Sequence, residues 1–195
     1  TRIFSSSTGV IGEPLPHARI TAKVDDLRDT LSTTAMHDAA DGIRTTDTFA
    51  KGAGVEIQID GQPVRIAGIA KGSGMVAPDM ATMLVYIFTD AQIARPLLQT
   101  ILSELTDLTF NNITVDSDTS TSDTLLLAAT GASGVTIDTN TGPFRDALQG
   151  VMLDLAHQVV RDGEGATKFV EVCVTGAASD ADARTHAMSI ANSPL

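Results

Sequence analysis

Thr82 is the residue whose position first suggests chemistry. It follows Ala81 at the end of the stretch KGSGMVAPDMAT, which begins at Lys71, and it precedes the apolar run MLVYIF. A threonine hydroxyl is a weak nucleophile that becomes useful when a base lies within hydrogen-bond reach, and its own α-amine can be that base. The amine is free only if the Ala81–Thr82 bond breaks, which the hydroxyl can cause by attacking the carbonyl in front of it. The residues alone favour a plainer interpretation, a β-branched residue that opens a strand.

Other familiar site types fit the sequence poorly. A phosphate-binding loop needs its lysine after the last glycine, whereas Lys71 precedes Gly72. The acidic tract from Asp116 begins like a calcium loop, but Thr121 and Leu127 stand where such a loop needs glycine and glutamate. The four histidines lack partners at metal-ligand spacing, and no G-x-S-x-G turn supports a serine triad. We therefore predict no metal site.

Composition limits the classes of partner. The 195 residues are 43% apolar, enough for one sizeable core, and the net charge of -11 argues against nucleic-acid or anionic-membrane binding. No apolar stretch approaches the roughly 20 residues of a membrane span. The single cysteine, Cys173, cannot form an intramolecular disulfide, and its alternating surroundings predict a small core residue. These features predict a soluble protein of a reducing compartment.

Five strands are predicted. Asp60-Gly61 joins the β-rich arms VEIQI and QPVRIAGIAKG, which is the strongest hairpin signal in the chain. TMLVYIF is typical of a strand covered on both faces, and therefore of a central one. LLLAAT predicts a second buried strand, and KFVEVCVTG predicts the last strand.

Apolar residues at helical spacing predict the helices. The first carries Ile20, Val24, Leu27 and Leu31 on one face; the others lie in ARPLLQTILSELTDLTF, in GPFRDALQGVMLDLAHQVVRDGEG and near SDADARTHAMSIAN. Mixed strands and helices in this order predict an α/β fold, an α+β sandwich with sheets covered by helices. No repeat or linker divides the chain, so we expect one domain over residues 1–195.

The stretch KGSGMVAPDMATML resembles the self-cleavage segment of the ornithine acetyltransferase family, also called bifunctional glutamate N-acetyltransferases. Four other stretches match that family in order: SSTGVIGEPLP, GIRTTDT, FNNITVDSDTSTSDTLLLAATGA and DGEGATKFVEVCVTGA. The resemblance implies a layered fold of the N-terminal-nucleophile type. It also implies self-cleavage between Ala81 and Thr82, into an α portion, residues 1–81, and a β portion, residues 82–195.

The resemblance implies catalytic roles at matching positions. Thr82 would be the nucleophile that takes an acetyl group from N2-acetylornithine and passes it to glutamate, in a ping-pong cycle without metal or organic cofactor. Thr8 and Gly9 match the oxyanion-hole pair, a hydroxyl and a backbone N–H that stabilise the developing tetrahedral oxygen.

The resemblance also implies substrate-binding residues. Lys71 would pair with a substrate carboxylate, Glu164 would face the amino end of the substrate, and Thr45 lies in a matching motif. Thr82 would contact the substrate as well.

Members of this family act in arginine biosynthesis. The resemblance implies a cytoplasmic enzyme whose cleaved chains assemble as α2β2. Use of acetyl-CoA as a further donor stays open. Because family members are about twice as long, with segments on both sides, this chain would be their central portion. Two alternatives remain: an amidohydrolase or aminopeptidase of the N-terminal-nucleophile type, in which water resolves the acyl-threonine, and an inactive truncated scaffold that only associates with other chains.

Overall fold

Six strands are present in the computed structural model, which describes residues 4–10, 12–76, 83–138 and 142–193. They are β1 (Lys51–Ile59), β2 (Gln62–Lys71), β3 (Leu84–Thr89), β4 (Gln92–Ile93), β5 (Thr124–Ala129) and β6 (Thr136–Ile137). The main sheet has the order β1-β2-β3-β5, in which β2 is antiparallel to both β1 and β3, and β5 runs parallel to β3. A short parallel pair, β4 and β6, lies outside it.

The hairpin predicted around Asp60-Gly61 is confirmed. β1 and β2 pair from Lys51↔Ala70 to Ile59↔Gln62. Asp60 has φ 50° and Gly61 has φ 74°, the left-handed conformation that a two-residue hairpin turn of this class needs at both central positions. The turn therefore sets the register that delivers the chain to Lys71.

The strand predicted in TMLVYIF is also confirmed, as β3 in the interior of the sheet. Val85 and Ile87 are fully buried, whereas Phe88 on the other face is 41% exposed. The described residues therefore cover one face of β3 well and the other only in part.

Helices precede, interrupt and follow the strands. They are α1 (His17–Thr21), α2 (Val24–Asp29), α3 (Met36–Gly42), α4 (Arg95–Leu108), α5 (Gly142–Arg161) and α6 (Asp180–Ala191). α5 packs on β1 and β2, and Phe144, Leu148 and Leu155 are fully buried at the predicted helical spacing. Burying side chains of this size stabilises the fold by about 1.5 to 3 kcal/mol each. α6 begins at its cap, where Ser179 Oγ accepts the Asp182 N–H.

A close approach between α5 and the sheet occurs at Gly68 of β2. A Cβ atom at this position would lie 2.9 Å from Ile87 Cγ1 and 3.1 Å from Leu155 Cδ1. Only glycine lets the helix and the sheet meet here without displacement. The mixed α/β class predicted from the element order is confirmed.

The prediction of a single amphipathic first helix is wrong. The chain forms α1 and α2 with a break at Ala22 and Lys23, and Ile20, Val24, Leu27 and Leu31 are 50 to 83% exposed. Helices this short gain little without a surface to pack on, so periodicity alone did not yield one continuous helix.

The strand predicted in KFVEVCVTG is absent, and Cys173 is exposed instead of buried in the core. Residues 168–176 keep an alternating burial pattern from Glu171 to Thr175, but no described strand pairs with them. Alternation predicts a strand only where a partner supplies the ladder of hydrogen bonds.

β5 is a strand as predicted, but its residues are only partly buried. It has one neighbour in the described sheet, β3, so it lies at an edge. In the described part of the chain, no helix has the length and apolarity to cross a membrane.

Candidate functional site

Lys71 and Thr45 come together at the end of β2. Lys71 closes the strand with only 2% of its surface exposed, and its Nζ donates a hydrogen bond to Thr45 Oγ1 at 2.8 Å. Thr45 lies in the loop between α3 and β1. Two residues separated by 26 positions, both predicted to bind substrate, therefore share one contact.

Glu164 lies beside the loop that follows Lys71. Its backbone N–H donates to the Ser73 carbonyl at 2.6 Å, and a Cβ atom at Gly74 would lie 2.8 Å from its Oε2. Ser73 Oγ also bonds Thr46 Oγ1 at 2.6 Å. The loop 72–74 thus joins the GIRTTDT and DGEGATK segments, and the exposed Glu164 carboxylate lies beside Gly74 of this loop.

A buried ion cluster, formed by Asp47, Lys51 and Asp162, lies beneath this loop. Lys51 Nζ donates to Asp47 Oδ1 at 2.7 Å and to Asp162 Oδ2, and all three side chains are at most 2% exposed. Burial, the largest effect, would raise the pKa of Asp47 and of Asp162, but the hydrogen bonds that each accepts from Lys51 and from other neighbours, together with the charge of Lys51, hold each pKa below its usual value. Sequence analysis missed this cluster, because Lys51 and Asp162 are 111 residues apart and no spacing signal links them.

The environment of Lys71 works against its charge. Burial lowers the pKa of its ammonium, Asp47 and Asp123 partly restore it, and the positive charge of Lys51 lowers it further. The Lys71 Nζ lies 3.8 Å from Asp47 Oδ2. An anion that reached Lys71 would meet a poorly hydrated ammonium, which strengthens the pairing.

The predicted nucleophile and cleavage residues, Thr82 and Ala81, fall outside the described residues. The residues that flank segment 77–82 are described, and carboxylates of the tract 114–124 hold both. Asp116 accepts from the Val76 N–H at 3.0 Å, and Asp123 accepts from the Met83 N–H at 2.8 Å. The sequence of this tract suggested a calcium loop as its possible site type, and it gave no sign that the two carboxylates bind the residues that flank segment 77–82.

The pKa of the Asp123 carboxyl lies well above its usual value. Burial raises the pKa of its carboxyl to about 6, while the hydrogen bond from Met83 and the charge of Lys71 oppose that rise. The carboxyl therefore titrates near pH 6. Its hydrogen-bond partner is the backbone amide of Met83, the residue that follows Thr82.

Thr8 and Gly9 lie in an extended N-terminal segment. Ser6 Oγ hydrogen-bonds Tyr86 OH, which attaches this segment to β3. Thr8 is partly buried and Gly9 is exposed. Among the described residues, no hydrogen bond joins either of them to Lys71, so the predicted oxyanion-hole pair is not brought to the Lys71 region by direct contact.

The described residues offer no group of three His, Cys, Asp or Glu side chains placed to hold a metal ion. A groove of about 820 Å³ runs between α6, residues 166–174 and the end of α4. Lys71, Thr45 and Glu164 do not line it. This groove is therefore separate from the predicted substrate-binding residues.

Comparison with known proteins matches the model of the ArgJ family to residues 1–195. A protein of Ruegeria pomeroyi named arginine biosynthesis bifunctional protein ArgJ is 69% identical over 100% of this chain and 47% of its own length. A protein of the same name from Caulobacter vibrioides is 54% identical over 99% of this chain and 49% of its own length. This chain spans about half the length of these relatives.

A crystal structure of arginine biosynthesis bifunctional protein ArgJ from Bacillus halodurans resembles the described fold. The two share 45% identity at a TM-score of 0.52, over 56% of this chain and 52% of the other. The match supports the mixed α/β fold class predicted from the sequence.

Proposed function

Because this chain belongs to the ArgJ family, we propose that it forms the nucleophile-bearing part of an acetyltransferase. The enzyme moves an acetyl group from N2-acetylornithine to glutamate after self-cleavage between Ala81 and Thr82. It needs no organic cofactor, and the resulting pieces, residues 1–81 and 82–195, stay associated.

The observation that carries the proposal is that loop 72–74 has a cation and an anion as neighbours. The Lys71 ammonium, bonded to Thr45, belongs to the residue just before the loop, and the exposed Glu164 carboxylate lies beside Gly74. An amino-acid substrate carries a carboxylate and an amine, so it fits between a cation and an anion. The same loop leads directly into the segment that ends at Thr82.

The reaction consists of two acyl transfers. The Thr82 hydroxyl attacks the acetyl carbonyl of N2-acetylornithine while its free α-amine accepts the hydroxyl proton. The amide C–N bond breaks, the leaving amine takes that proton, and ornithine departs from an acetyl-threonine ester. The neutral amine of glutamate then attacks the ester, the C–O bond to Thr82 breaks, and the proton that the glutamate amine loses passes through the Thr82 α-amine to the Thr82 oxygen.

Thr8 and Gly9 supply the oxyanion hole in this proposal. A hydroxyl and a backbone N–H that point at the tetrahedral oxygen stabilise it where its charge develops, and loss of one such donor typically costs about 3 to 4 kcal/mol. The donors must then approach Thr82 in the active enzyme.

Mass spectrometry of the wild-type protein and of Thr82→Ala tests cleavage and nucleophile together. We expect two pieces that meet at Ala81/Thr82 in the wild type and one intact chain in the variant. Thr100→Ala, at an exposed threonine of α4, is the matched control and should cleave normally.

Incubation with N2-acetylornithine labelled in its acetyl group then tests the transfer. The label should stay on the piece that begins with Thr82 until glutamate is added, and acetylglutamate should then form. Release of acetate at a rate independent of glutamate would indicate a hydrolase instead. An intact chain with full turnover would contradict the cleavage-dependent mechanism.

A further inference from the structure

We propose that Asp47 and Lys51 are positioning residues for Lys71: the buried pair holds the Lys71 ammonium in place for a substrate carboxylate, and Asp47 helps that ammonium to stay charged. The inference rests on the proposed function, in which Lys71 binds that carboxylate.

The Asp47 carboxylate accepts backbone hydrogen bonds at both ends of the contact between Lys71 and Thr45. Its Oδ1 accepts the Gly72 N–H at 2.7 Å, directly after Lys71, and its Oδ2 accepts the Thr45 N–H at 3.2 Å. Thr45 in turn receives the hydrogen bond from Lys71 Nζ. A shift of Asp47 would therefore move the end of β2 and the hydroxyl partner of Lys71 together.

Lys51 fixes Asp47 from below. It is fully buried and forms close ion pairs with Asp47 and Asp162, and Thr48 contributes its N–H to Asp162 at 3.0 Å. A buried ion pair persists only when its remaining hydrogen-bonding groups are satisfied, and here they are tied to the backbone. The cluster is thus a rigid support.

Lys71 differs from Lys51 in how much of its ammonium remains for a partner outside the protein. An ammonium has three N–H donors. Among the described residues, Lys71 uses one on the neutral Thr45 hydroxyl, and its nearest carboxylate oxygen, on Asp47, is 3.8 Å away. Lys51 makes two close charge pairs instead. The arrangement reserves Lys71 for an external anion and commits Lys51 to the protein.

The charged groups that act on Lys71 are Asp47, Asp123 and Lys51, and their signs give opposite predictions for two variants. Neutralising Asp47 removes a carboxylate that helps Lys71 keep its proton. Neutralising Lys51 removes a like charge that works against it. A residue that only stabilised the fold would not produce effects of opposite sign.

The experiment measures KM for glutamate and kcat between pH 6 and 10 in wild type, Asp47→Asn and Lys51→Gln. KM should begin to rise at lower pH than wild type in Asp47→Asn and at higher pH in Lys51→Gln. In the pH range where Lys71 is charged in the wild type but neutral in Asp47→Asn, the KM of the variant should be about tenfold higher, the usual effect of losing a hydrogen bond to a charged group. The kcat of both variants should change less than KM. The amine of glutamate also titrates in this pH range, but it does so equally in the assays of all three proteins, so it does not alter the comparison.

Asp38→Asn, at an exposed carboxylate of α3, is the matched control and should follow the wild-type profile. If the wild type itself transfers no acetyl group, the proposed function fails. If the wild type transfers normally but the two profiles move in the same direction, or neither moves, the positioning role is overturned. If Asp47→Asn yields too little folded protein, the Lys51→Gln variant is sufficient: a pH profile of KM that does not move in this variant overturns the positioning role.

Discussion

Replacing Asp123 by asparagine should change how the stability of the protein depends on pH. Burial raises the pKa of this carboxyl from its usual 3.8 to about 6. The amide oxygen of asparagine can still accept the Met83 N–H, which Asp123 holds at 2.8 Å. The substitution therefore removes the titration and keeps the contact.

The sign follows from proton binding. The folded state holds the Asp123 proton up to about pH 6, whereas the unfolded chain loses it near 3.8. The contribution of this proton to stability is complete below 3.8 and is lost as the pH rises through about 6. At about 1.4 kcal/mol for each pKa unit the full difference would be about 3 kcal/mol. Because the group is only partly buried, water screens it, and we expect about 1 to 2 kcal/mol.

Urea unfolding at pH 4.5 and pH 7.5 measures this contribution. Both proteins should also carry Thr82→Ala, so that the proposed cleavage does not divide the chain. Relative to its parent, Asp123→Asn should be about 1 to 2 kcal/mol more stable at pH 7.5 than at pH 4.5. Asp118→Asn, at an exposed carboxylate of the same tract, should show no such change. An equal difference at both pH values, or NMR titration of the Asp123 carboxyl near 3.8, would refute the argument.

Two glycines lead to further predictions. Gly68→Ala should lower the free energy of unfolding by about 1 to 3 kcal/mol, because its Cβ would meet Ile87 at 2.9 Å inside the core. Gly52→Ala, whose nearest contact would be 3.7 Å, is the control in the same denaturation assay, and an equal loss in both would contradict the packing argument. Gly74→Ala should leave stability almost unchanged but displace the flexible Glu164 carboxylate, which would lie 2.8 Å from the new Cβ. The expected result is a higher KM for N2-acetylornithine with an unchanged unfolding midpoint, and an unaltered KM would separate Glu164 from substrate binding.

Local signals predicted the elements that local physics controls. The Asp60-Gly61 turn determined the β1–β2 hairpin, and the apolar spacing of Phe144, Leu148 and Leu155 matched the buried face of α5. The same kind of signal failed at the first helix, where apolar spacing was present but no surface covers Ile20. It also failed in residues 168–176, where alternation was present but no described strand pairs with the segment.

The site shows the same division. Lys71, Thr45 and Glu164 could be named from motifs, since the stretches that contain them resemble a known family. The sequence could not indicate that Lys71 and Thr45 share a hydrogen bond across 26 residues. Asp116 and Asp123 lie in a tract that matches the family but that suggested no role for either carboxylate, and in the fold they accept hydrogen bonds from the residues on either side of segment 77–82.

The sequence by itself therefore determined the family, the hairpin, the main helices and the identity of the candidate site residues. Only the tertiary structure decided that Lys51 is buried between Asp47 and Asp162 and that this cluster supports Lys71. Turns and helices depend on neighbours in the chain, which a sequence displays directly. A buried charge depends on which distant side chains surround it and on how little water reaches it, and folding alone sets both.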